Sequence, residues 1–478
     1  MRRLAIVAAA IVAAAAVAAP VRGADQTITG GRLVVANPDP ADPGRRKVVA
    51  TARESRSTST IAGDPTVAGS AGGAVLEVVA NGDHPSFQSF LLPQGMTRKG
   101  RPFWRALGRR GYRYADPGGE QGPVRSVLLE KAAGTMRLEA AIRGRNGPLV
   151  VVPPDGGTDG FVTLGLGGGE RYCVRYGPEG RSRNVADRLW RIRRVRDPGC
   201  SPTLSSGSFL ALTYNVAGLP EGLSGSHPEV NTPLISPLLN GYDLVLVQES
   251  WQTPEENPFD PVRVYHEILV LDARHPYLSV PATHPLGMDP TRPTAILGDG
   301  LNRFSRFPFE PVVRTAWATC HQSAADCLAF KGFSVARTTL APGLGLDVYN
   351  LHMEAGSDPE DDQARDQGVT QLIEFIDTFS SGRAVIVGGD FNLHTDREPD
   401  ATIFERLLTG AGLTDVCSAL ACPEPGRIDK FTFRSGGGLN LAPLSWRFET
   451  DVFVRGNGEP LSDHEALAVR FAWAAGAG

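Results

Sequence analysis

Between Asp25 and Cys200 no stretch carries the spacing and caps of a helix. Its apolar residues come in short runs between Gly, Pro and Asp turns: Arg32-Leu-Val-Val-Ala, Ala74-Val-Leu-Glu-Val-Val-Ala, Ser126-Val-Leu-Leu, Leu149-Val-Val-Val, Gly160-Phe-Val-Thr-Leu and Arg188-Leu-Trp-Arg-Ile. Many short strands at this spacing build a sandwich or barrel, so this part is expected to be all-β and sandwich-like. The turn-rich segment Pro198–Gly207 reads as a linker. Beyond it, buried-strand runs such as Phe209-Leu-Ala-Leu-Thr-Tyr, Asp243-Leu-Val-Leu-Val and Ala384-Val-Ile-Val alternate with helical stretches. One of these is Asp361 to Phe379, where Val369, Leu372, Ile373 and Ile376 recur at helical spacing. A length of 478 residues allows two to four domains. The boundaries read as 1–24, 25–200 and 201–478.

Residues 1–24 have the pattern of a secretory signal peptide: Met1-Arg2-Arg3, an Ala/Val/Ile run from Leu4 to Ala19, then small residues up to Ala24. The apolar run is shorter than the roughly 20 residues that span a bilayer. Export suits the cysteines, which fall in three local pairs: Cys173 and Cys200, Cys320 and Cys327, Cys417 and Cys422. In an exported chain an even set reads as disulfides. Proximity favours sequential pairing among the 15 possible patterns, and no Cys-x-x-Cys points to a metal site.

The formal net charge of −4 conceals a division. Residues 25–200 hold 27 Lys and Arg against 17 Asp and Glu, a net of +10; residues 201–478 hold 18 against 35, a net of −17. A basic β part is joined to a strongly acidic one. Arg101, Arg105, Arg109, Arg110 and Arg113, and again Arg188, Arg191, Arg193, Arg194 and Arg196, would form either a solvated basic face or one that binds an anionic surface.

In the second part, polar residues sit at six ends of expected strands, where α/β proteins place their sites. They are Thr213-Tyr-Asn215, Gln248-Glu249, Asn350-Leu-His352, Gly389-Asp390-Phe-Asn392, Arg427-Ile-Asp429 and Ser462-Asp463-His464. Any one of them alone is as well explained by a turn or a helix cap. Together they suit hydrolysis of a phosphodiester. Glu249 and Asp463, with the Asn215 carbonyl, are the hard oxygen donors magnesium takes. Other divalent cations such as Mn2+ or Co2+ stay open, and zinc lacks His and Cys at ligand spacing. His464 has the ordinary pKa of a water-activating base, with Asp429 as the partner that fixes its tautomer. Asp390 and Asn392 fall on one face of an extended segment, suited to orienting the water or holding phosphate oxygens. His352 supplies a second donor.

These blocks, in this order over about residues 208–473, resemble the endonuclease/exonuclease/phosphatase superfamily, and among its members the secreted bacterial neutral sphingomyelinase-like enzymes. Tyr214-Asn-Val-Ala-Gly-Leu-Pro220, Asp299-Gly-Leu-Asn-Arg-Phe-Ser-Arg-Phe-Pro308 and Cys327-Leu-Ala-Phe-Lys-Gly-Phe333 carry the narrower likeness. The resemblance implies an α+β four-layer β-sandwich flanked by helices, as in deoxyribonuclease and sphingomyelinase. It implies Glu249 as the main magnesium ligand, helped by Asn215 and with Asp463 beside the metal. His464 would be the general base oriented by Asp429, Asp390 and Asn392 would position nucleophile and phosphate, and His352 would stabilise the transition state. Two departures are visible. Lys430 stands where family members often have an aromatic, and no pair of aromatic-tipped apolar strands for entering membranes is evident. A magnesium-dependent phosphodiesterase acting on sphingomyelin or a related phospholipid at a membrane surface is the expected function. An extracellular endonuclease is the competing one, although a module at −17 repels a polyanion while a zwitterionic headgroup suffers less. A non-catalytic adhesin would have no use for all six blocks.

Overall fold

The computed structural model describes residues 25–476 except 69–71, 83–84, 168, 178–181, 195–198, 201–205, 253–263, 283–294 and 322–324. The expected signal peptide, Arg196 and most of the expected linker lie outside the described residues.

Asp25 to Arg194 form one 13-stranded, almost wholly antiparallel sheet. Strict alternation of buried and outward residues in strands such as Lys47–Glu54 and Thr135–Arg143 gives the sheet one apolar face. That face curls around a single core holding Tyr114, Tyr172, Tyr176 and Trp190. The two ends of the sheet meet: the Trp104 indole donates to the Leu92 carbonyl at 3.0 Å, and Phe103 N to Gly95 O at 3.0 Å. The sandwich-like expectation is met by one sheet rolled on itself.

The remainder holds two six-stranded sheets. The first contains Leu244–Gln248, Ser206–Asn215, Leu467–Ala475 and Leu439–Phe448 side by side, with Asn302–Ser305 and the short Tyr277–Leu278 beyond Leu244–Gln248. The second contains Gly332–Ala341, Leu344–His352, Val385–Asp390 and Asp429–Arg434, with Val313–Ala316 and Thr414–Asp415 at its edges. Period-2 geometry sends alternate residues to opposite faces. Leu246 and Ile386 enter the core between the sheets, while Val245 and Val247, or Val385 and Val387, face outward layers. Both faces are covered, which is why these strands read as unbroken apolar runs.

The helix Pro359–Phe379 covers the second sheet through Val369, Leu372 and Ile376, alongside Asp400–Ala411 through Ile403, Phe404 and Leu407. Its start is fixed by Pro359 at the first turn and a reciprocal capping box between Asp358 and Asp361. On the first sheet, Ile235 of Pro228–Leu238 and Leu269 of Tyr265–Leu271 form the other outer layer. Four layers result, as the resemblance implied. The cysteines pair sequentially: Cys173–Cys200, Cys320–Cys327 and Cys417–Cys422. Among the described residues no helix is long and apolar enough to cross a membrane.

Val79, Phe87 and Phe161 of the rolled sheet pack into one apolar cluster with Phe209, Leu340 and Trp473 of the second unit. The Tyr277 hydroxyl also donates to the Ser89 carbonyl across this seam.

Candidate active site

Strand register builds half of the site. His352 is the partner of Asp390 in the parallel pair of their strands, and Asp390 is the partner of Asp429 in the antiparallel one. Side chains at paired positions share a face, so the three stand abreast across the second sheet, all buried. The first sheet supplies the opposing residues: Asn215 pairs with Gln248, and Glu249 follows directly. Glu249 and Asn392 both hold a positive φ, 55° and 49°. That left-handed backbone is uncommon for a glutamate; strain of this kind concentrates at functional sites.

Beneath the site, Gln248 donates to Thr213 Oγ1 at 3.0 Å and across to Asn350 Oδ1 at 2.6 Å. The Asn350 amide donates back to the Val247 and Asn302 carbonyls. Gln248, Thr213, Asn350 and Asn302 are all buried and polar, so each bond replaces water that is excluded. Gln248 and Asn350 thus lock the two sheets together, with Glu249 and His352 one and two residues further along.

His464 and Asp429 meet as anticipated, with Nδ1–H donating to Asp429 Oδ2 at 2.8 Å. This fixes the tautomer and leaves Nε2 directed toward the site, 3.7 Å from Asp390 Oδ2. Burial lowers the His464 pKa, but Asp429, Asp390 and Asp463 outweigh burial and raise it to about 10. Burial pushes the Asp390 carboxyl up, yet His352, His464 and Lys331 hold it below the usual carboxylate range. His352 Nε2 lies 3.3 Å from Asp390 Oδ2 and 4.0 Å from Glu249 Oε1.

Asn215 takes a place other than the expected one. Its amide nitrogen donates to Glu249 Oε1 at 3.0 Å and Asp390 Oδ2 at 3.2 Å, while its oxygen accepts from Ala217 N. It bridges two carboxylates and does not offer them an oxygen. Asn392 donates its amide to Met353 O at 3.1 Å, and its backbone N–H to Asp390 Oδ1. Asp463 is exposed at the rim, accepting from Ser462 Oγ at 3.2 Å; among the described residues no bond joins it to Glu249 or Asn215. Ser462 also donates to Asn215 O at 2.7 Å, so the Ser-Asp-His turn is tied to the first sheet.

The donor set fits a hard divalent cation. Glu249, Asp390, Asp429 and Asp463 gather around only two imidazoles, an excess of carboxylate oxygen of the kind magnesium accepts. Asp390, Asp429 and His464 also bring one ligand atom each within 4.8 Å of one another.

A network behind His352 is absent from the sequence reading. Lys331 pairs with Asp326 at 2.7 Å and Asp326 accepts from Ala355 N. Glu354 accepts from His321 N, and His321 Nδ1 lies 2.7 Å from Asp361. Lys331 belongs to the segment Cys327–Phe333, and nothing in its spacing marks it as buried. Lys430, one of the two departures from the resemblance, points to the opposite face from Asp429. Its ammonium donates to Pro425 O and lies 5.2 Å from the Phe404 ring.

No family model matches the chain. A sphingomyelinase of Mycobacterium tuberculosis is 32% identical over 298 residues, covering 58% of this chain and 55% of that protein. A putative neutral sphingomyelinase of Drosophila melanogaster is 24% identical over 287 residues, covering 54% and 59%. The chain thus spans little more than half the length of these relatives. Among solved structures, sphingomyelinase C from Streptomyces griseocarneus aligns with TM-score 0.40 and 16% identity, covering 55% of this chain and 99% of that one. Beta toxin from Staphylococcus aureus aligns with TM-score 0.39 and 15% identity, over the same shares. Over the matched residues the chain is similar to sphingomyelinases.

Proposed function

We propose that the chain is a secreted, divalent-metal-dependent phosphodiesterase, with residues 1–24 as signal peptide, 25–200 as accessory domain and 201–478 as catalytic domain. Its substrate in this reading is sphingomyelin or a related phospholipid headgroup at a membrane surface. The observation that carries the reading is the His464–Asp429 pair, whose free Nε2 faces a row of carboxylates closed by Glu249. Glu249, with Asp463 and an Asn215 turned to present its oxygen, would hold magnesium. A bound ion supplies positive charge that neutralises the phosphoryl oxygens and the leaving oxygen.

The protein groups divide the remaining work. Asp429, Asp390 and Asp463 raise the affinity of His464 for its proton, so that without opposing charge it stays an imidazolium at neutral pH. With positive charge set against Asp390 and Asp463, His464 would take the proton of the attacking water at Nε2, and Asp429 would stabilise the imidazolium that forms. Asn392 and Asp390 orient that water and the phosphate. His352, neighbouring both Asp390 and Glu249, donates to the phosphoryl oxygens as charge develops. The +10 domain would draw the enzyme to an anionic surface.

One assay, with and without EDTA and magnesium, comparing sphingomyelin, phosphatidylcholine, double-stranded DNA and a phosphomonoester tests this reading. Magnesium-dependent release of phosphocholine is expected. Cleavage of DNA with no lipid turnover would replace it with the extracellular endonuclease reading.

A further inference from the structure

A cavity of about 580 Å3 lies on the seam between the rolled sheet and the two-sheet unit. Arg46 and Arg145 line it from one side, Arg274, His275 and Arg306 from the other; Asp42, at the rim, is its one acidic lining residue. Arg306 is ion-paired to Asp243 at 2.6 Å. Arg46, Arg145 and Arg274 have no carboxylate within ion-pair distance among the described residues. The half-buried Arg46 guanidinium is nevertheless held in place, by Asn37 Oδ1 at 3.3 Å and the Leu149 carbonyl at 3.0 Å.

Two costs accumulate here. A half-buried guanidinium without a counter-charge has lost water and gained no anion. Burial and the facing charges of Arg306 and Arg274 accordingly lower the Arg46 pKa. His275 adds a third feature: it is buried, its Nε2 can only donate to the Tyr242 carbonyl at 2.9 Å, and its Nδ1 is an acceptor with no partner among the described residues. Planar guanidinium forks converging from two sides match the oxygens of a phosphate, which offers several acceptors at once.

We propose that this seam cavity binds a phosphate-class oxyanion, free or carried on a lipid headgroup, which clamps the two units by drawing Arg46 and Arg145, and Arg274 and Arg306, onto one charge. The site is separate from the candidate active site and requires no divalent metal. It gives the basic unit a specific task beyond a diffuse positive face.

The test uses the purified full chain in EDTA, with calorimetric titration and thermal melting. Sodium phosphate and sodium pyrophosphate are the free probes; phosphatidylcholine vesicles with and without phosphatidic acid are the tethered ones. The comparison variants are Arg145→Ala/Arg274→Ala, both exposed positions whose loss leaves the cores intact, and His464→Ala. Binding to at least one probe with a raised melting temperature is expected. The double variant should weaken it at least about tenfold, on the scale of one lost charge-assisted contact, and His464→Ala should leave it unchanged. A response only to phosphatidic acid assigns the headgroup source; a response to the free probes assigns a soluble anion. No binding to either class, equal affinity in the double variant, or loss in His464→Ala would overturn the proposal.

Discussion

At the scale of single residues, the polar side chains at strand ends divide into those that line the candidate site and those that hold them. Glu249→Gln and His464→Ala remove a carboxylate charge and a proton acceptor. Each should lower turnover at least about a hundredfold, the range of lost general-base or electrostatic assistance. Circular dichroism and steady-state kinetics on the same preparations check this, and near-normal activity in folded His464→Ala would remove the base. The residue types were legible because Glu, Asp, Asn and His at six strand ends are a poor fit to packing alone. The orientation of Asn215 was not, since which end of an amide faces a carboxylate depends on a neighbour 175 positions away, Asp390. Glu354 was hidden for a related reason: only the fold buries it beside Asp326. Burial and that charge raise its carboxyl from 4.5 to about 7. The folded chain then binds this proton more tightly than the unfolded one. The resulting stability is whole below about pH 4.5 and is lost as pH rises through 7. Glu354→Gln, neutral throughout, should gain in melting temperature relative to the parent between pH 5 and 8. Parallel melting curves over that window would show that Glu354 does not titrate there.

At the scale of elements, apolar periodicity was enough to find the strands Leu244–Gln248 and Val385–Asp390 and most of the helix at Pro359–Phe379. The helix begins two residues before the expected Asp361, because the capping box uses Asp361 itself as its third helical residue. What periodicity could not give was how the elements are joined. The rolled closure depends on Trp104 reaching Leu92, and the tie between the two sheets of the second unit on Gln248 reaching Asn350 across 102 positions. Such contacts leave no local pattern. That tie makes a quantitative expectation possible. Asn350→Ala deletes the acceptor of the buried Gln248 amide and two donors to backbone carbonyls, leaving polar groups unsatisfied in a water-free layer. A loss of about 1–3 kcal/mol follows from the desolvation left uncompensated. Denaturant unfolding measures it. The Michaelis parameters should change in kcat more than in KM, since Glu249 and His352 lose their alignment while the surface-facing residues stay. A variant as stable as the parent would mean that the Gln248–Asn350 bond does not couple the sheets.

At the scale of the whole molecule, the division of charge follows the division of fold: the rolled sheet is the basic part and the two-sheet unit the acidic one. Within the rolled sheet, like charges face each other across strands, as with Arg105 opposite Arg113 and Arg183 opposite Arg191. Directly opposed like charges destabilise a strand pair. They are tolerated at low cost only where solvent screens them or an anion neutralises them. These alternatives separate experimentally. If the exposed arginines meet an anionic surface, Arg105→Glu/Arg113→Glu changes the net charge by four at one spot. At about 1 kcal/mol per basic residue near such a surface, binding to phosphatidylserine-containing vesicles at low salt should fall by more than about tenfold. Turnover of sphingomyelin dispersed in neutral detergent should be unchanged, because neither position belongs to the catalytic row. Binding by the parent chain should also weaken as salt is raised, through counter-ion screening. Equal vesicle binding by parent and variant would assign these arginines to a solvated face and leave membrane approach to the catalytic unit alone.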